Sequence, residues 1–389
     1  MRQYCQLVLL CFMVVSVLVA CSNSRRTEGE QDGGDTLRMR YAHYLTMVEH
    51  EDYTEVLLGN PWKQGQVLHR YLLVPKGAEG DKTAETLRAM RSSGRQTDVV
   101  RTPVERGIVF TAPHCQLMYD LGCQKCLVGV CDLQYINIKD VHRRKDITDC
   151  GSSMQPLMEK IVEARPEALL ISPFENSGGY GKLDKLNVPV IETADYMETS
   201  PLGRAEWMKF YGCLFGCREK AEKHFEEVEN HYLQLKRAAA KLPKGLSVLT
   251  ERKTGSVWYV PGGQSTTGVL LKDANARYIY ADDTHNGSLA LSPEAIIDKA
   301  SAVDVWAFKY IGKPLDKQAL LQEYKGYSLL KALQTGTVYE CNTVEVPFFE
   351  ETSFRPDYLL QEMMILVHPG AKLGQLRYFS PMPGSGKTK

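Results

Sequence analysis

The chain has 389 residues with 47 basic and 47 acidic side chains, so its formal net charge is zero and nothing in it favours a nucleic-acid partner. Hydrophobic residues make up 43%, an ordinary globular share that excludes a disordered or fibrous chain and is enough for two domains or lobes.

Arg2 and an apolar run from Leu7 to Ala20 open the chain. The run is shorter than the roughly 20 residues of a comfortable membrane span and has the small-residue exit of a secretory signal. It ends in Leu18-Val19-Ala20-Cys21, which resembles a bacterial lipoprotein signal. That resemblance implies cleavage before Cys21 and lipidation of its thiol and new amino terminus. An ordinary signal peptide with an incidental cysteine is the plainer alternative. Residues 1–20 are thus a signal peptide, and 21–35, polar and without apolar period, form a flexible tether. No later segment is apolar enough to span a membrane, which leaves lipid on Cys21 as the membrane attachment.

Residues 36–76 read as strands. The runs 55–58 and 67–74, separated by Asn60-Pro61-Trp62 and Gly65, predict a β-hairpin. From Glu105 the rhythm becomes strand, loop, helix. Strands are predicted at 107–111, 127–130, 168–172 and 188–192, and helices at 115–121, 154–164 and near 182–186. Such alternation predicts a mainly parallel sheet with flanking helices. A connecting helical segment spans 202–242. Its second part carries Ala221, Phe225, Val228, Tyr232, Leu235 and Ala239 at helical spacing until Pro243 and Gly245 stop it. The rhythm then returns, with strands at 246–251, 277–281, 303–308 and 337–341 and a last helix at 356–367. The expected fold class is α/β: an N-terminal lobe with a leading β-hairpin at 36–201, a long rigid helix, and a C-terminal lobe with a surface-wrapped or loose tail at 243–389.

Eleven cysteines need sorting. Cys5 and Cys11 leave with the signal, and Cys21 carries the lipid. Cys115, Cys123, Cys126, Cys131, Cys150, Cys213, Cys217 and Cys341 remain, free to pair as disulfides in an oxidising space or to pack as buried thiols. Apolar surroundings at four of them favour mostly buried thiols. Cys123-Gln124-Lys125-Cys126 has redox or zinc spacing without a second nearby pair, which weakens the zinc reading.

The two halves share a short pattern. Glu159-Lys160-Ile161-Val162 followed by Pro166-Glu167-Ala168-Leu169-Leu170-Ile171 is matched by Pro293-Glu294-Ala295-Ile296-Ile297 followed by Val303-Asp304-Val305-Trp306. Each is a helix beginning near a glutamate and leading into the third strand of its half. With the long connecting helix, with Pro103-Val104-Glu105-Arg106-Gly107-Ile108-Val109, and with Asp120-Leu121-Gly122 before Leu127-Val128-Gly129-Val130, the chain resembles the helical-backbone class of ABC-transporter substrate-binding proteins. That family includes binders of iron-siderophores, haem and vitamin B12. The resemblance covers roughly 103–367. It implies two lobes facing across a cleft, small closing motions, a monomer, no intrinsic cofactor, and an ABC permease of the inner membrane as partner. It also implies one surface glutamate per lobe docking on the permease, at positions matched by Glu159 and Glu294. A glutamate favoured by its helix dipole is the plainer reading of both.

Ligands of open α/β sheets bind beyond the carboxyl ends of the strands. That rule nominates His114, Asp132, Tyr135, Phe174, Glu175, Asn176, Asp195 and Tyr196 in the first lobe. In the second it nominates Arg252, Trp258, Tyr259, Asp283, His285, Lys309, Tyr310, Asn342 and Phe348. Aromatics mixed with a few polar groups suit a planar or metal-chelate ligand, and His114 is a candidate ligand to a metal or haem iron. No two histidines have metal-site spacing, so a bare ion is less supported than a chelate.

Two glycine-rich stretches do not qualify as nucleotide sites. Gly384-Ser385-Gly386-Lys387-Thr388 has no following helix for a phosphate cradle, and Gly178-Gly179-Tyr180-Gly181 lacks the third glycine of a dinucleotide fingerprint. The expected function is capture of an iron chelate, haem or cobalamin at the periplasmic face of a membrane by a lipid-anchored protein that does no chemistry. The rivals are a metal-tetrapyrrole chelatase using His114 and Glu175, and a haem-capture protein working without a permease.

Overall fold

The computed structural model describes residues 35–90, 97–175 and 179–383. Cys21, the tether up to residue 34, Asn176 and the segment 384–389 lie outside the described residues. Among the described residues, no helix is long and apolar enough to cross a membrane.

The predicted hairpin is there, but as the centre of a larger unit. Strands β1 (Asp35–Leu37), β2 (Leu45–Glu49), β3 (Thr54–Gly59), β4 (Val67–Pro75) and β5 (Thr97–Thr102) form a five-stranded sheet in chain order. The first four are antiparallel. A crossover through α1 (Ala78–Met90) sets β5 parallel to β4. The sequence reading gave no element to 78–102. Its helix is polar, and the strand's apolar residues are confined to Val99 and Val100, both buried.

The N-terminal lobe proper contains β6 (Gly107–Val109), α2 (Ala112–Asp120), β7 (Leu127–Val130), α3 (Lys139–Arg143), β8 (Thr148–Asp149), α4 (Met158–Ala164), β9 (Ala168–Ile171) and β10 (Val190–Glu192). The sheet runs β10-β9-β6-β7-β8, all parallel. Every residue of β6, β7, β9 and β10 is buried, as expected for strands covered on both faces. Gly129 is needed for close approach. A Cβ there would stand 3.0 Å from Cys150 Sγ and 3.1 Å from Ile108. Tyr71 of β4 joins the two sheets, its hydroxyl donating to Val190 O at 2.8 Å and accepting from Glu192 N at 2.8 Å.

The connecting segment is three helices, α5 (Pro201–Glu206), α6 (Met208–Leu214) and α7 (Arg218–Lys241). Trp207 separates the first two, and the break before α7 falls at Gly216, whose φ of 68° favours glycine. Along α7, Ala221, Phe225, Val228, Tyr232 and Ala239 are buried, and Leu235 is half-buried. Two buried carboxylates hold the strap at 40–44 against these helices. Glu206 accepts from the backbone N–H of Arg40, Tyr41 and Ala42 at 3.0, 2.8 and 3.0 Å. Glu198 accepts from His43 and Tyr44 N–H and from Trp207 Nε1. Carboxylates satisfied by several backbone donors can stay buried without a full complement of cations.

The C-terminal lobe contains β11 (Ser247–Thr250), β12 (Lys253–Thr254), β13 (Val257–Pro261), α8 (Thr266–Asp273), β14 (Arg277–Tyr278), β15 (Ser288–Leu291), α9 (Pro293–Ala300), β16 (Val305–Tyr310), α10 (Lys317–Glu323), α11 (Lys331–Thr335), β17 (Val338–Asn342), α12 (Phe348–Thr352), α13 (Pro356–Val367) and β18 (Ser380–Pro381). Its main sheet runs β14-β11-β16-β17-β18, parallel except for β18. With the edge strands β8 and β18 left out, the four core strands of each sheet have the order second, first, third, fourth: β7-β6-β9-β10 and β14-β11-β16-β17. The helix leading into the third strand is α4 in one lobe and α9 in the other. The repeat seen in the sequence is therefore a repeat of topology.

Of the two expectations for the tail, surface-wrapped or loose, the described residues up to 383 exclude the loose one. Glu362 of α13 accepts from Arg377, Tyr378 and Phe379 N–H at 2.8, 2.9 and 2.6 Å. Tyr378, Phe379 and Met382 are buried, and β18 closes the sheet edge. A single glutamate on a helix carries no sequence sign that it will anchor a strand.

Candidate functional site: an interlobe cavity

A cavity of about 300 Å³ opens at the carboxyl ends of β11 and β16, between the lobes. The strand order reverses direction between β6 and β9 in one sheet and between β11 and β16 in the other, the switch point where ligands of open α/β sheets bind. Thr250 and Glu251 follow from β11, Ala307 and Lys309 belong to β16, and Thr266 and Thr267 open α8. Phe348, Phe349 and Phe379 supply aromatic wall, with Leu270, Leu359 and Met363 beside them. The N-terminal lobe contributes Pro113, and the connecting helix α5 contributes Pro201 and Arg204.

Three charged side chains line this space. Glu251 has φ 61°, a left-handed conformation that disfavours a non-glycine residue, and two backbone bonds hold it there. Its N–H donates to Ala307 O at 2.9 Å, and its carbonyl accepts from Trp306 Nε1 at 2.7 Å. The Glu251 carboxylate pairs with the Lys309 ammonium, which also lies 5.3 Å from the Phe348 ring centroid. Arg204 is tied back by its Nε to Asp195 Oδ2 at 3.2 Å. Among the described residues, no three His, Cys, Asp or Glu side chains converge as ligands for a metal ion. The lining thus joins an apolar, aromatic wall to three charged side chains.

Of the residues nominated from sequence, Phe348 and Lys309 reach the cavity wall. His114 does not. It is 3% exposed, with Nδ1 against Thr111 Oγ1 and Nε2 at 2.8 Å from Asp195 Oδ1 and 3.1 Å from Tyr211 OH. The edges of Tyr211 and Phe354 face its ring. Both nitrogens are thus engaged inside the protein, and His114 is a core residue instead of the expected ligand to iron. Asp195 is fully buried. Burial raises its carboxyl, but His114, Arg204 and Tyr211 outweigh that and leave it below the ordinary range.

The remaining nominees are scattered for identifiable reasons. Trp258 and Tyr259 lie on β13, in a three-stranded antiparallel sheet with β12 and β15, not in a loop. Alternation points Trp258 inward, against Trp306 and Tyr327, and leaves Tyr259 exposed. Tyr310 is buried with its hydroxyl facing Glu340. Asn342 is buried and donates to Gly312 O at 2.9 Å. Arg252 pairs with Glu323. Asp132 accepts from Ser153, and His285 pairs with Asp283 on the surface. Tyr135, Phe174, Glu175 and Tyr196 are exposed and do not line the cavity.

Glu159 and Glu294 occupy equivalent places, each in the first turn of the helix before the third strand, and both are exposed. Glu294 accepts from Tyr324 OH at 3.1 Å.

Sequence reasoning missed Arg204, Glu251, Thr266, Met363 and Phe379. Glu251 was within reach, since it ends the predicted strand 246–251 and precedes the nominated Arg252. Nothing local marks the others.

The lobes meet around the cavity. Helix α12 packs on α2, Glu350 accepts from Asn137 N at 2.7 Å, and Thr266 Oγ1 donates to Glu198 O at 2.7 Å.

Comparison with known proteins agrees with this architecture. A profile of the periplasmic binding protein family matches residues 109–344. An uncharacterized lipoprotein, MJ0878, of Methanocaldococcus jannaschii is 23% identical, with 97% of this chain and 96% of that protein aligned. A possible iron-binding periplasmic solute-binding protein of Staphylococcus epidermidis superposes with TM-score 0.54 at 20% identity, covering 68% of this chain and 99% of the other. A periplasmic heme binding protein of Pseudomonas aeruginosa superposes with TM-score 0.56 at 18% identity, covering 72% and 98%. With the profile spanning more than half of its length and the two-lobed α/β fold in agreement, the chain belongs to the periplasmic binding protein family.

Proposed function

We propose that the protein is the solute-binding component of an ABC importer that holds a compact iron chelate or haem-type acid in the interlobe cavity. The cavity itself carries this reading: it lies at the strand ends where the two sheets reverse order, and its polar residues sit beside an aromatic wall. Acidic groups of the ligand would meet Arg204 and Lys309, and its apolar body would lie on Phe348, Phe349 and Phe379. A volume of about 300 Å³ is at the lower limit for a small-molecule site.

Delivery would use Glu159 and Glu294 as paired docking points on a permease, with orientation set by charge complementarity. Lipid on Cys21 would keep the protein at the outer face of the membrane and raise its effective concentration there. The chelatase reading fares worse because His114 is committed to Asp195 and Glu175 does not line the cavity.

The test is a titration of purified protein with haem, ferric siderophores and cobalamin, followed by absorbance and native mass spectrometry. Stoichiometric, reversible binding of one of the first two is expected. No binding of any at micromolar concentration, or metal insertion into a porphyrin by the protein, would overturn the proposal.

A further inference from the structure

The Cys-X-X-Cys stretch singled out in the sequence has no part in the cavity, but the fold gives it a third cysteine. Cys123 and Cys126 bracket a tight turn after α2, in which Cys126 N–H donates to Cys123 O at 2.9 Å. Cys217, more than ninety residues later, is the N-cap of α7, the 24-residue interlobe helix. The first turn of α7 lies against the cysteine turn: Lys220 Nζ is 3.1 Å from where a Gly122 Cβ would stand. Cys123 is buried, and Cys126 and Cys217, both half-buried, pack against the same cluster.

The chemistry of the three sulfurs is unequal. Interaction with the Cys123 thiol lowers Cys217, burial opposes it, and the nearby Lys220 ammonium adds to the lowering. A helix N-terminus stabilises a thiolate as well. Cys123 is pushed up by its interaction with Cys217 and by burial, and Cys126 is raised chiefly by burial. Cys217, at the N-terminus of α7 with Lys220 one turn on, is placed as the nucleophile of the group, and Cys123 lies in the turn against which that N-terminus packs.

We propose that Cys217 and Cys123 form a thiol–disulfide exchange site that reduces small external disulfides and ends as a Cys123–Cys217 bond across the base of the interlobe helix. The Cys217 thiolate attacks one sulfur of an external R–S–S–R, whose S–S bond breaks. One RS⁻ leaves and takes up a proton. Cys123 then loses its proton to solvent and attacks the Cys217 sulfur, releasing the second RS⁻, which is protonated in turn. Two protein thiols are oxidised and one disulfide is reduced to two thiols. In the structure all three cysteines are free, the reduced end of this cycle. The product would staple the end of α2 to α7 and make the stiffness of the lobe junction depend on redox state. This proposal does not depend on which solute the cavity holds.

The test uses the folded, full-length protein and an aromatic disulfide whose released thiol absorbs. A rapid phase releasing two equivalents of aryl thiol per protein is expected, leaving no aryl group attached, with peptide mapping that joins residues 123 and 217. Cys217→Ser should slow that phase at least tenfold, with thermal melts confirming the fold. Cys123→Ser should stop at one equivalent, with the aryl thiol retained on Cys217. Cys126→Ser should leave both phases unchanged. A 123–126 bond, an aryl thiol retained on Cys126 in the unaltered protein, or release indifferent to Cys217→Ser would each overturn the proposal.

Discussion

The two lobes share one strand order, yet they use their strand ends differently. In the C-terminal lobe the ends of β11 and β16 present Glu251 and Lys309 to the cavity. In the N-terminal lobe the residues after β6 and β10 turn inward. His114, after β6, and Asp195, after β10, meet each other and Tyr211 in the core, and among the described residues of this lobe Pro113 alone lines the solute space, with Pro201 and Arg204 added by the connecting helix α5. Shared topology fixes where a site can form, while packing against neighbouring helices decides which lobe supplies its chemistry.

The largest effect should come from breaking the inward-facing set. Asp195→Ala removes the shared acceptor of His114, Tyr211 and Arg204 and should cost about 3–5 kcal/mol in urea unfolding. Because the Asp195 carboxyl is held below its ordinary range, its stabilisation is full above that range and lost as pH falls through the depressed value. Trp258→Ala is the C-terminal counterpart. It empties a fully buried site and should cost a similar ~3–5 kcal/mol. If Trp258→Ala instead left stability intact and abolished solute binding, its placement in the core would be wrong.

Next come the cavity charges. Arg204→Ala and Lys309→Met should each weaken solute binding about 10- to 100-fold, measured by titration calorimetry, since hydrogen bonds to charged groups are worth roughly 1.5–3 kcal/mol. Loss confined to Lys309→Met would make the site a property of the C-terminal lobe alone.

A smaller effect concerns Asp304, which precedes β16 and accepts from Ser247 N–H and Oγ and from Lys331. The Lys331 bond and the Ser247 N–H lower its carboxyl from 3.8 to about 2. Its contribution is present above the unfolded value and is lost as pH falls towards 2, so an NMR titration should find it ionised at pH 3. Smallest of all, Tyr135→Ala and Asp283→Ala should change solute affinity less than twofold. Glu159→Ala and Glu294→Ala should leave solute affinity unchanged while lowering uptake in cells. A drop in affinity for either glutamate variant would move it from the docking surface into the site.

The sequence by itself determined the secondary framework and its repetition. The strands at 127–130 and 168–171 and the helix at 356–367 were legible because buried parallel strands are short apolar runs and the helix opens on Pro356. The amphipathic stripe of α7 was legible for the same reason. Only the tertiary structure decided the site. His114 is withdrawn from solute by Asp195, 81 residues away, and by Tyr211, 97 residues away, pairings that no local pattern encodes. Arg204 and Phe379 reach the cavity from a connecting helix and from the tail, because backbone clamps by Glu206 and Glu362 fix the segments around those helices. Periodicity specifies which face of an element is buried, but which distant element buries it follows only from the closed fold.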